Sequence, residues 1–99
     1  MRPKLPKPTE ETRRAAALLA EELLSWPGVT ERPMFGMRCF YRSGIVFAML
    51  PDKRALERPD AIGYKQGGKW LLHTLDDNLN AAVATLQLAS EAAAMELSE

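Results

Sequence analysis

The stretch from residue 34 to residue 50 has the pattern of a β-hairpin, and this constrains the chain more than any other feature. Phe35, Met37, Cys39 and Tyr41 alternate with Gly36, Arg38, Phe40 and Arg42, a two-residue period that turns every second side chain toward a core. Ser43-Gly44 follows, and a small residue before glycine suits the positive backbone dihedrals of a tight turn. Ile45-Val46-Phe47-Ala48-Met49-Leu50 then runs without polar alternation, as an interior strand covered on both faces does. Antiparallel pairing of residues 34–42 with 45–50 is the expectation. Phe40 is the irregularity, because it falls on the otherwise polar side.

Helical patterns bracket this hairpin. Thr9 precedes Glu10 and Glu11, an N-cap followed by acidic residues where the helix dipole favours them. Ala15, Leu18, Leu19, Leu23 and Trp26 share one helical stripe, and Pro27-Gly28 stops the helix. At the other end Asp76 or Asp77 suits a cap, and Leu79, Val83, Leu86, Ala93 and Leu97 fall on one stripe of an alanine-rich helix. Between hairpin and last helix, Ala55-Leu56-Glu57 reads as a short strand and Pro59 to Gly63 as a turn or irregular loop. Gly67-Gly68 leads into a closing strand over 69–75. The fold class expected is α+β, an antiparallel sheet of about four strands packed with N-terminal and C-terminal helices.

Length and composition narrow the function classes. Ninety-nine residues, 46% of them hydrophobic, suffice for one domain with a modest core, and residues 1–8, with three prolines and three basic residues, read as a flexible lead-in to a domain over 9–99. A lone cysteine can close no intramolecular disulfide and build no cysteine-based zinc site. No apolar run spans a bilayer, and the N-terminus MRPKLPKPTEE lacks a signal-peptide core. A cytoplasmic protein without membrane attachment is expected.

The chemical inventory is thin. His73 is the only histidine and sits between Leu71 and Leu75 on a strand, where a structural role is expected. Cys39 occupies the apolar set of its strand as a small hydrophobe. No catalytic residues, metal site or cofactor are expected. The contrary reading is a small-molecule sensor or enzyme using His73, Cys39 or Tyr64 in a pocket between sheet and helices, which requires polar groups converging on one cavity.

Charge gives one hint. The chain is neutral overall, yet residues 32–69 hold eight basic and three acidic side chains while residues 70–99 hold five acidic and no basic ones. If Arg38, Phe40 and Arg42 share an exposed strand face, an Arg-aromatic-Arg strip results that can hold phosphates and stack a base. Arg54 and Lys69 join them as candidate phosphate contacts, for weak binding that falls with salt. The bland alternative is a solvated face, or one whose Phe40 is covered by a helix. A third reading is self-association as a homodimer, a basic sheet region meeting an acidic helix of another copy.

The string Arg32-Pro33-Met34-Phe35-Gly36, the Gly44 turn and the following strand with Phe47-Ala48 resemble the N-terminal domain of TfoX/Sxy competence regulators, over most of residues 13–97. Met37 stands where that family usually has a second glycine, and residues 53–68 match weakly. Gly63-Tyr64 and Lys69-Trp70 before an acidic helix start also resemble the MmcQ/YjbR group, small proteins described as DNA-binding. The TfoX resemblance implies a regulatory or interaction module without catalytic residues, binding a protein partner or, weakly, nucleic acid.

Overall fold

The computed structural model describes residues 7–56, 58–75 and 78–96. Helix α1 (Glu10–Leu24) is followed by strands β1 (Val29–Met34), β2 (Met37–Arg42), β3 (Ile45–Pro51), β4 (Ala61–Gln66) and β5 (Lys69–Thr74), then helix α2 (Leu79–Glu96). The five strands form one antiparallel sheet in chain order, β1-β2-β3-β4-β5. The α+β class and the β2–β3 hairpin are therefore as expected, with one strand more than the four anticipated. That strand is β1. Its Thr-Glu-Arg-Pro content has little strand character, and it is held by its pairing with β2 from Val29↔Arg42 to Met34↔Met37.

Three of the four strand connections are two-residue loops, at Phe35-Gly36, Ser43-Gly44 and Gly67-Gly68, and both residues of each have positive φ. This is the backbone that matches the right-handed twist of a hairpin. The fourth connection, residues 52–60, is irregular, and the strand expected at Ala55-Leu56-Glu57 does not form at Ala55 or Leu56; Glu57 lies outside the described residues. Of the turn or irregular loop expected at Pro59 to Gly63, Pro59 and Asp60 do form a turn, but Ala61 to Gly63 are the start of β4. Ala55 is apolar because it is fully buried, not because it is paired in a ladder.

Both helices lie on one face of the sheet. α2 packs on β2, β3 and β4, and α1 on β1 and β3. Thr9 caps α1, its hydroxyl accepting from the Thr12 N–H at 3.1 Å. The cap of α2 is Asn78, whose side-chain oxygen accepts from the Ala81 N–H at 3.2 Å; the Asp76 and Asp77 expected there lie outside the described residues, as does Leu97. The buried stripe of α1 is Ala16, Leu19, Ala20 and Leu23, rotated from the expected one, so that Leu18 is 57% exposed. These side chains meet Phe40, Phe47, Ala48, Leu50, Ile62, Leu86 and Ala89 in one core.

A bulge explains how β3 fills that core. Phe40 pairs with Ala48 and Tyr41 with Val46, leaving Phe47 as an extra residue on β3. Phe47 and Ala48 thereby both turn toward the helices, and both are fully buried. Val46 and Met49 face the other side and are half-buried, so β3 is covered on both faces only in part.

Candidate functional site

The expected basic-aromatic strip is not a surface. Arg38, Phe40 and Arg42 do share a face of β2, but it is the face toward the helices, and Phe40 is 0% exposed within the core. Met37 and Cys39 of the alternate set are buried as expected, on the face away from the helices, so β2 is covered on both faces and the strip has no open side there. Both arginines are engaged at the rim of the core. Arg38 donates twice to the Glu31 carboxylate on β1, through Nε and, at 2.8 Å, through Nη2, and its guanidinium stands 5.9 Å from the Phe40 ring centroid. Arg42 donates through Nη1 to the Ser90 hydroxyl of α2 at 3.2 Å. The charge-assisted bonds from Arg38 hold the Glu31 carboxyl below the ordinary carboxylate range, and Glu31 in turn raises Arg38. Phe40 is thus unable to stack a base in this fold. Arg54 and Lys69, the other two candidates, sit at opposite ends of the sheet, one beside the β1–β2 turn and the other at the start of β5.

The residues proposed for a catalytic pocket do not converge either. Cys39 aligns with Met49 and Gly63, on the face away from the helices, whereas Tyr64 aligns with Phe40 and Ala48 on the helix face. His73 lies opposite Ile62, also on the helix side. Cys39 is almost fully buried, and burial pushes its thiol up from the ordinary range, the opposite of an activated nucleophile. An open groove of about 600 Å³ lies between the start of α1 and the start of α2 and includes Thr9, Glu11, Arg14, Asp60 and Leu79. It contains none of the three. Among the described residues no group of three His, Cys, Asp or Glu side chains could hold a metal ion.

One surface element stands out instead, and it carries the Arg32-Pro33-Met34-Phe35-Gly36 string. Phe35, expected on the apolar face of a strand, is the first residue of the β1–β2 loop and is 71% exposed; Met34 beside it is 41% exposed. Phe35 also holds φ at +55°, a left-handed backbone that bulky L-residues avoid. The loop is fixed from below. The Gly36 carbonyl accepts from the backbone N–H of Lys53 at 2.8 Å and of Arg54 at 3.0 Å, and a Cβ on Gly36 would come within 2.8 Å of the Arg54 side chain. Arg32 and Lys53 are exposed at the same end of the sheet, and Arg54 is half-buried against the turn. The result is an apolar tip, Met34-Phe35, set among three cations. The string itself was legible in the sequence; its exposure was not, because period-two alternation gave Phe35 to the core.

No family model, curated protein or solved structure matches the chain. Among the described residues no helix is long and apolar enough to cross a membrane.

Proposed function

We propose that this chain is a non-enzymatic interaction module, acting in the cytoplasm, that docks a protein partner through the Met34-Phe35 turn. The observation that carries the reading is Phe35 itself: the chain places a phenyl ring in solvent and accepts an unfavourable backbone to do so. Exposed aromatic anchors beside arginine are the composition of binding hot spots, and backbone strain held in place by its surroundings marks functional turns. Arg32, Lys53 and Arg54 around the tip favour a partner with an apolar pocket rimmed by carboxylates. The resemblance to the TfoX/Sxy N-terminal domain supports the same class, since its Arg-x-Met-Phe-Gly string is this turn. Weak nucleic-acid binding has less support, because Phe40 is buried and Arg38 and Arg42 already have partners.

The test replaces Phe35 by the photo-reactive p-benzoylphenylalanine and irradiates cells of the source organism. One discrete protein adduct is expected, suppressed by excess wild-type protein and not by excess Phe35→Asn. Adducts that are diffuse, or that both competitors suppress equally, would overturn the reading. So would adducts mainly to nucleic acid.

A further inference from the structure

The two edges of the sheet are not equivalent. In a two-residue hairpin the residues flanking the loop exchange hydrogen bonds, and every second pair beyond them does the same. On β1 the bonded positions are therefore Met34, Arg32 and Thr30, leaving Val29, Glu31 and Pro33 to point outward. Pro33 has no N–H, and the Val29 N–H is already donated to the Trp26 carbonyl at 3.4 Å. Glu31 alone offers an outward donor, so this edge is closed to strand addition.

On β5 the loop is Gly67-Gly68, and Lys69, Leu71 and His73 bond inward to Gln66, Tyr64 and Ile62. Trp70, Leu72 and Thr74 point their backbone groups outward, with no proline among them. β5 is the last strand of the sheet, outside the strands on which α1 and α2 mainly pack; among the described residues no strand pairs with its outer side, and its side chains Trp70 and Leu71 are 42% and 39% exposed, on opposite faces of the sheet. An open, apolar edge of this kind is a template for another strand.

We propose that a second copy of this chain pairs there, β5 antiparallel to β5 about a two-fold axis at Leu71, giving a continuous ten-stranded sheet. The strand's own order selects that occupant. Centred on Leu71, outward-pointing Trp70 of one copy meets outward-pointing Leu72 of the other, twice, exchanging four backbone hydrogen bonds. Leu71 packs on Leu71 across the axis on the helix side, while Trp70 packs on Leu72 on the far side. A register centred on Leu72 instead sets Trp70 against threonine and Leu71 against histidine, burying less apolar surface. Self-complementarity is what a two-fold interface demands. This edge is opposite to β1 and Phe35, so the proposal stands independently of the docking turn.

Sedimentation equilibrium of the full chain up to about 1 mM tests it. Mass is expected to rise from 11.0 kDa toward twice that value. Leu71→Lys sets like charges together on the axis and is expected to weaken the dimer more than about tenfold, with an unchanged melting temperature at dilutions where both proteins are monomeric. Leu71→Cys then reports the register, and does so even if the lysine variant folds poorly: paired non-bonded positions bring Cβ atoms within disulfide range. It should oxidise to a covalent dimer faster than Leu72→Cys, and far faster than Thr30→Cys on the closed edge. A monomer at every concentration would overturn the proposal, as would a dimer indifferent to Leu71→Lys or equal cross-linking at all three positions.

Discussion

Phe35 bears two costs at one position, solvent around a phenyl ring and a left-handed backbone, and both can be measured. Phe35→Asn keeps the turn and suits positive φ, so the variant should be more stable by about 1 kcal/mol, raising the melting temperature by about 4–8 °C for a domain of this size. The same substitution should abolish competition in the cross-linking assay. A variant that loses stability would show that the ring contributes to the fold. Glu31 sets a second expectation. Its folded carboxyl lies below the unfolded value because Arg38 donates to it. The bridge therefore contributes fully at neutral pH, and that contribution is lost as pH falls through the folded value. Thermal melts from pH 7 to pH 3 should show Glu31→Gln less stable at neutral pH by about 1 kcal/mol, with the difference vanishing in acid. A gap that persists undiminished at low pH would assign the loss to packing. Neither residue's role was readable beforehand. Strand alternation says which residues share a face, and it does not say which face a helix will cover.

Besides β1 and β4, the 52–60 connection is an element that hydrophobic periodicity missed, since an irregular segment has no period to detect. Its work is visible in what it covers. Met37 and Cys39 face away from both helices yet are only 2% and 1% exposed. Lys53 and Arg54 tie the segment to Gly36, and a Cβ built on Gly63 would overlap Leu56 Cδ1. Gly63 is thus a strand glycine that makes room for the leucine of a loop, a use foreshadowed by glycine's rarity within strands. Gly63→Ala should cost about 1 kcal/mol in chemical denaturation, because Leu56 has to shift from its seat. In a Leu56→Ala background the same change should cost markedly less; an equal cost in both would place the strain elsewhere. The helices and the central hairpin, by contrast, were legible, because Thr9, Ser43-Gly44 and the Ile45–Leu50 run each signal through local chemistry.

Across the whole molecule the basic and acidic segments do not make a simple polar body. Arg38 is neutralised by Glu31, Arg13 approaches Asp52 at 3.5 Å, and Arg42 is spent on α2. The Arg38→Ala/Arg42→Ala double variant should therefore lose about 1 to 2 kcal/mol of stability while leaving any weak affinity for single- or double-stranded DNA, read by fluorescence anisotropy at low salt, unchanged. An affinity that collapses in a variant still folded would restore the nucleic-acid reading. The order of the sheet has one more consequence. Each strand's partner is the one made just before it, so during synthesis the sheet can zip up as it leaves the ribosome, by local contacts that form quickly. α2 comes last. Until it emerges, the face bearing Phe40, Phe47 and Ile62 has only α1 to cover it, so a nascent chain stalled before residue 79 would present a sticky half-built core to chaperones and to its neighbours on the same message.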